Sequence, residues 1–492
     1  MQQDPGVSLS KSKILSLLQC PKRLWLELYR PELALVDEGV QARLEAGNQV
    51  GKTAQGLFPG GIEVEGQSME ERFQKTRELL RSHSGPLFEA AFRHNNVRVM
   101  ADILLPSAGG FTLIEVKSAT SVKDYYLRDI AVQTWVLQGA GLDLRGIELA
   151  VIDSSFVYPG SGDYRGLFAR YDVSQEAKSL LPDVPGWVAE GQALLASAVE
   201  PIQPPGDQCG TPFPCPFQGY CIPPETTEYP VECLPRIGNT AKTLRSQGLR
   251  DIRDVPDSFP LSAVQSRVRE VTKGGKAVLS AAAKDTINSL PWPRWYMDFE
   301  TIGLAVPQWA GTRPYQQVPF QWSCHVETAD GTLRQCGYLA DGDVDPRRAF
   351  AESLIAALAG SGPVLVYNAA FEKRILNEMA AAFPDLAGEL NSITARVFDL
   401  LPVAREHYYH PDMRGSWSLK SVLPTVAPEL TYEDLSVSHG EEAQGAFQKM
   451  MDMRKGSAEH ETLRKSLLEY CERDTYAMVV LAHFFAGKKR KD

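Results

Sequence analysis

The chain has 492 residues, of which 43% are hydrophobic and 23% charged, with a formal net charge of −10. It has no apolar run near the ~18 uninterrupted residues of a membrane span, and its start, MQQDPGVSLSKSK, lacks the apolar segment of a signal peptide, so a cytoplasmic chain with no membrane contact is expected. The acidic balance excludes a protein that grips nucleic acid by bulk electrostatics alone, but not a metal-dependent site, where bound cations reverse the local sign.

A length of this order predicts roughly two to four domains. Residues 9 to 29, LSKSKILSLLQCPKRLWLELY, bring one early cysteine, Cys20. Residues 88 to 120 form a β-meander pattern: a strand ending at Asp102, a Gly-Gly turn, and a strand carrying Glu115 and Lys117. Residues two apart on a strand share a face, so Glu115 and Lys117 point the same way. A carboxylate pair such as Asp102 and Glu115 gathers a metal, and a nearby ammonium stabilises developing negative charge. AVQTWVL then places Gln133 on the next helix.

The stretch from 201 to 225, PIQPPGDQCGTPFPCPFQGYCIPPE, is too rich in Pro and Gly for regular structure and closes a first domain. It holds Cys209, Cys215 and Cys221; Cys233, Cys324, Cys336 and Cys471 are scattered and are most simply small buried side chains. Eight cysteines in a cytoplasmic chain point to metal ligands or core residues rather than disulfides. From 232 to 290 the pattern is mostly helical, with ten Lys or Arg against six Asp or Glu. Within it, residues 233 to 256 have the apolar spacing and central Gly of a helix-hairpin-helix, whose turn amides can hold phosphate; ordinary linker helices fit equally well.

After a second break at 290 to 294, strands and helices alternate. YMDFETIGL puts Asp298 and Glu300 on one face of a strand. Like charges so placed repel unless a cation lies between them, and hard oxygen ligands suit Mg²⁺ or Mn²⁺. PVLVYNAAFEKRIL is a strand running into a helix, with Asn368 at the turn and Glu372 early on the helix. LLEYCERDTYAMVVL is a helix that stacks Tyr470 and Asp474 at i, i+4.

At these residues the chain resembles the DnaQ-like, or DEDD, 3′-5′ exonucleases of the RNase H-like fold. DFETIGL is similar to their first motif, VYNAAFE to their second and YCERD to their third, over roughly residues 295 to 485; Glu372 stands where the second motif normally carries Asp. The resemblance implies that Asp298, Glu300, Glu372 and Asp474 hold two divalent cations, with Tyr470 orienting the attacking water. The segment from 396 to 424 is similar to the family's Asp-bearing strand followed by a Ser-Leu-Lys helix.

Asp102, Glu115, Lys117 and Gln133 resemble the signature of the RecB-like PD-(D/E)xK nucleases, with Glu89 as a further ligand. In relatives a metal-binding His follows a Gly by four residues; here GNQVG puts Gly51 in that place. The opening segment resembles the iron-sulfur members of that branch, which implies that Cys20, Cys209, Cys215 and Cys221 hold a 4Fe-4S cluster. Four thiolates suit zinc equally well.

The expected architecture is therefore α/β and multidomain. Residues 1–225 form a restriction-endonuclease-like domain with a four-Cys cluster, 226–292 a helical linker, and 293–492 an RNase H-like mixed sheet flanked by helices. It resembles an uncharacterised bacterial family fusing the two nuclease types. The implied activity is metal-dependent cleavage of nucleic acid, DNA rather than RNA, in repair or phage defence by analogy alone. The alternatives are a catalytically decayed nucleic-acid-binding scaffold with a structural cysteine cluster, or a redox-sensing cluster protein with incidental acids.

Overall fold

The structure is a computed structural model that describes residues 8–35, 39–342 and 344–488. It is a mixed α/β protein of two units: one comprises residues up to Pro224 together with Leu304–Gln316, the other Glu225–Gly303 with the residues from Gln317 onward. Among the described residues no helix is long and apolar enough to cross a membrane.

The first unit is built on a mixed sheet whose strands lie in the order Ile62–Glu63, Leu87–His94, Val97–Ser107, Gly110–Lys117, Leu144–Ile152, Phe168–Asp172, with Leu9–Ser10 running parallel to the start of Val97–Ser107. The first hairpin strand does not end at Asp102 but continues to Ser107, because the apolar residues after Asp102 keep pairing, down to Pro106 opposite Phe111. The turn is Ala108–Gly109, and Gly109 takes the left-handed conformation (φ 78°) that a tight hairpin needs. The parallel pair Gly110–Lys117 and Leu144–Ile152 is joined by the helix Asp124–Gly139, the crossover that parallel neighbours require.

Side-chain alternation divides this sheet. Ile114 and Val116 face the helix Gly39–Gly56, packing in clusters with Ala54 and Val50. Glu115 and Lys117 therefore face the other side, towards the helices Lys11–Gln19 and Asp124–Gly139. Gly51 lies on Gly39–Gly56, the helix packed on the face that Glu115 does not use.

The second unit has a five-stranded sheet in the order Leu333–Leu339, Val318–Glu327, Arg294–Ile302, Val364–Val366, Val397–Asp399; the first three are antiparallel and the last two parallel to Arg294–Ile302. The 28-residue helix Ala458–Phe485 lines the sheet with an almost continuously buried run from Ala477 to Ala482. The segment expected as a linker shares this unit's core: Val231, Leu244, Val268 and Ile287 pack in one cluster with Tyr296, Leu365, Tyr408 and Met478. Its strand Val278–Leu279 also pairs with Tyr408–Tyr409. Where helix-hairpin-helix spacing was noted, one helix, Asn239–Ser246, stands between the 3-10 turns Val231–Cys233 and Ile252–Asp254, rather than two α-helices about a hairpin.

Candidate functional sites

In the second unit, Asp298, Glu300, Glu372, Tyr470 and Asp474 line a single cleft of about 560 Å³, together with Asn368, Arg405 and Lys420. Three elements supply the acids. Asp298 and Glu300 come from the strand Arg294–Ile302, which is central in the sheet. A bulge in the neighbouring strand, between Pro319 and Gln321, falls beside Glu300; bulges of this kind re-aim side chains near sites. Phe320, in the bulge, is fixed by stacking on Phe447 at 3.9 Å.

Glu372 is set by the turn between Val364–Val366 and the helix Ala369–Ala382. Asn368 there is left-handed (φ 91°), a conformation Asn tolerates better than most residues. Asp399 holds that turn: its two carboxylate oxygens accept the N–H groups of Asn368 and Ala369, each at 3.0 Å, and Oδ1 also accepts the N–H of Leu401 at 2.9 Å. One carboxylate thus ties the end of one parallel strand to the helix leaving its neighbour.

Burial and neighbouring charge set the electrostatics of these acids. Asp298 is pushed well above the usual carboxylate range, first by burial and then by the charges of Asp474, Glu300 and Glu372. Glu300 is raised by burial and by Asp474, with Lys420 opposing. Asp474 is also raised by burial, although Tyr432 and Lys420 oppose the shift. Burial pushes Glu372 up to about 8, and its Oε2 is buried with no hydrogen-bond partner. The tightest group among the described residues is Asp298, Glu300 and Cys471, with one atom of each within 4.8 Å of the others. Burial and the neighbouring carboxylates raise the Cys471 thiol, so it stays protonated and is no ligand for a hard cation. Buried, mutually repelling carboxylates with an unpartnered oxygen are a donor set that fits divalent cations.

Two further side chains complete this cleft. Tyr432 donates its hydroxyl to Asp474 Oδ1 at 2.5 Å. Lys420 Nζ donates to Tyr470 Oη at 3.2 Å and to the carbonyl of Ser438, and lies 4.9 Å from the ring centres of both Tyr432 and Tyr470. Lys420 is marked in the sequence only by the Ser-Leu-Lys signature of its helix, and Tyr432 carries no pattern that marks it.

In the first unit, Glu115 lies at the centre of a different arrangement. Its Oε1 accepts from Lys117 Nζ at 2.7 Å and from Lys11 Nζ at 2.6 Å; its Oε2 accepts from Gln133 Nε2 at 2.7 Å. Asp129, one helical turn before Gln133, accepts from Lys117 at 2.6 Å. Asp102 Oδ2 accepts the N–H of Val116 at 2.8 Å. Burial alone would raise Glu115, but Lys11 and Lys117 hold it well below the usual range. Asp102 is pushed up to about 8 by burial and by the charge of Glu115. Glu89 is raised mainly by burial and adopts φ 54° inside a strand, a strained conformation for a non-glycine residue of the kind that clusters at functional sites. Lys11 and Asp129 were not singled out from the sequence. Asp129 could have been found from its i, i+4 spacing to Gln133, whereas Lys11 is 104 residues from its partner.

Cys20, Cys209, Cys215 and Cys221 are all free and line one small cavity with Lys22, Arg23 and Gln218. Gln19 ties the first helix to the cysteine loop, donating to the carbonyls of Gln208 and Phe213 at 2.7 and 2.8 Å. Burial, together with the other cysteines, raises the Cys215 and Cys221 thiols; a cationic centre relieves that repulsion. Among the described residues no three of these sulfurs lie within 4.8 Å of one another, whereas thiolates bound to one zinc ion at ~2.3 Å would stand ~3.8 Å apart.

Residues 295–418 match the family described as "Domain of unknown function (DUF2779)". That span includes Asp298, Glu300 and Glu372 and stops before Tyr470 and Asp474. The chain is 26% identical over 238 residues to "Uncharacterized protein UU173" of Ureaplasma parvum, a match covering 43% of this chain and 34% of that protein. It is 24% identical over 228 residues to "Uncharacterized protein MG366" of Mycoplasma genitalium, covering 42% and 34%. The chain therefore spans about a third of the length of these curated relatives.

Proposed function

We propose that this protein is a metal-dependent nuclease acting on DNA, with a DnaQ-like, RNase H-fold 3′-5′ exonuclease centre in the second unit. The observation that carries the reading is the cleft that Asp298, Glu300, Glu372 and Asp474, drawn from three elements, line beside Tyr470, with burial raising the proton affinity of all four and the other three adding to that of Asp298. Those four carboxylates would hold Mg²⁺ or Mn²⁺. Bound there, divalent cations would lower the pKa of a coordinated water and offset the negative charge of the phosphodiester. The chain's own residues do the rest. Tyr432 fixes the rotamer of Asp474, Asp399 fixes the turn that presents Glu372, and Lys420 holds the Tyr470 phenol where it can orient a water. Arg405 lines the same cleft and offers a guanidinium to a phosphate.

The first unit is proposed to be a RecB-like PD-(D/E)xK domain, from Asp102, Glu115, Lys117 and Gln133 around one point. A 4Fe-4S cluster on Cys20, Cys209, Cys215 and Cys221 would join the two ends of that domain, with zinc as the alternative that four thiolates also suit. The scaffold alternative draws on Glu372 and Gly51, each standing where relatives of its motif carry another residue; the lysines paired with Glu115 add to it.

Purified protein incubated with 3′- and 5′-end-labelled single- and double-stranded DNA and Mn²⁺ tests the reading. Metal-dependent shortening from the 3′ end, lost in Asp298→Ala, is the expected result. Intact binding without cleavage at any Mn²⁺ concentration would establish the scaffold instead, and equal cleavage of RNA would correct the substrate.

A further inference from the structure

The first unit's centre contains a cation of its own. We infer that Lys11 occupies the carboxylate face that a divalent ion would take, so that this centre binds metal only as the Lys11 ammonium is displaced. The inference rests on the PD-(D/E)xK reading of this centre and is independent of the exonuclease reading of the other.

The Lys11 ammonium reaches both acids at the heart of the centre, Glu115 Oε1 at 2.6 Å and Asp129 Oδ1 at 3.6 Å. Lys117 takes the same Glu115 oxygen and the other oxygen of Asp129, at 2.7 and 2.6 Å. Gln133 covers Glu115 Oε2. Both oxygens of Glu115 are therefore committed to N–H donors. A metal ion and an ammonium compete for the same lone pairs, and Lys11 and Lys117 together fill those of Oε1, so coordination through that oxygen requires a donor to leave. Of the three, Gln133 is fully buried, and Lys117 is the one that shares the strand of Glu115 and is only 18% exposed. Lys11 makes one hydrogen bond, to Glu115, with Asp129 at 3.6 Å, whereas Lys117 hydrogen-bonds both acids, so Lys11 has the fewest contacts to lose.

Two features separate this contact from an ordinary surface pair. Lys11 is the first residue of its helix, capped by Ser10, whose strand with the fully buried Leu9 is hydrogen-bonded to the sheet; the ammonium is delivered from a fixed backbone. In addition, Gln133 Oε1 is buried without a donor, although its amide nitrogen bonds both Glu115 and Asp129. An acceptor left unpaired at that depth costs free energy, and it is accounted for by a ligand that brings a donor or a cation into the centre.

The test uses the full chain carrying Asp298→Asn and Asp474→Asn, so that Mn²⁺ binding reports the first unit, followed by the electron spin resonance of free Mn²⁺. Lys11→Met, which keeps most of the side-chain volume without charge, is expected to tighten Mn²⁺ binding by about tenfold or more, the scale on which neighbours of a metal site act, and adding Glu115→Gln is expected to abolish it. Unchanged or weaker binding in folded Lys11→Met overturns the inference alone. Absence of Mn²⁺ binding both with and without Lys11→Met overturns it together with the metal reading of this centre, while leaving the exonuclease reading intact. A measurement on the natural sequence covers the case in which Lys11→Met does not fold: brief acetylation with mass spectrometry is expected to label Lys11 several-fold more with Mn²⁺ present. Labelling of Lys11 that Mn²⁺ does not change contradicts displacement.

Discussion

Two buried acidic centres in one chain solve the same electrostatic problem in opposite ways. Around Glu115, two lysines and a glutamine saturate the carboxylate, and its proton affinity falls. Around Asp298, four acids face one cleft, Lys420 points its hydrogen bonds at a phenol and a carbonyl rather than at a carboxylate, and proton affinities rise. The lesson is that an acidic motif alone does not identify a cation site. What distinguishes the two is whether the protein's own cations donate hydrogen bonds to the carboxylates.

The largest effect that can break this comparison is on catalysis. Asp298→Ala is expected to lower 3′-5′ degradation by roughly 100- to 1000-fold, the scale of removing one preorganised electrostatic group, while Lys117→Ala changes it within about twofold; end-labelled DNA with Mn²⁺ measures both. The reverse pattern would move the chemistry to the first unit. Next, Asp399→Ala frees the turn before Glu372 and is expected to cost about 10- to 100-fold in activity and about 1–2 kcal/mol in stability through the lost caps, read by the same assay and by denaturant unfolding.

A pH series sharpens the contrast further. Asp298, Glu300, Glu372 and Asp474 all have folded-state proton affinities above their ordinary values. Their protonated forms therefore favour the metal-free folded state below the ordinary carboxylate range, and that contribution is lost as pH rises, for Glu372 up to about 8. The metal-free protein is expected to melt lower as pH rises over this window, and the stabilisation by Mn²⁺ to grow over the same window. A Mn²⁺ effect independent of pH would count against these acids as the ligands. The smallest expected loss within the Asp298 cleft is that of Tyr432→Phe, about tenfold in activity and concentrated in metal affinity, because the phenol only orients Asp474.

Much of this was legible in the sequence where short-range geometry carries the information. Asp298 with Glu300, and Glu115 with Lys117, share faces because the strand period is two; Tyr470 and Asp474 meet because a helix turns in about four residues. Asn368 announces a left-handed turn. Long-range partners were not legible. Lys11 meets Glu115, and Tyr432 meets Asp474, only through tertiary packing. The strand bearing Asp102 runs past it because the apolar residues that follow keep pairing across the hairpin. The segment from 226 to 292 has the composition of a linker, yet Val231, Leu244 and Val268 are spaced to bury against the second unit's helices. Leu304–Gln316, directly after the Asp298 strand, belongs to the first unit, with Tyr315 donating to the carbonyl of Ser118 and Val306 packed on Ile152; nothing in its local sequence marks that excursion.

Crystals soaked in Mn²⁺ and measured at the manganese absorption edge test the central claim most directly. The account predicts anomalous peaks within coordination distance of Asp298, Glu300, Glu372 and Asp474, at Mn²⁺ concentrations that leave the Glu115 centre free of manganese. No peak in that cleft at saturating Mn²⁺, or a first peak beside Glu115, would contradict it.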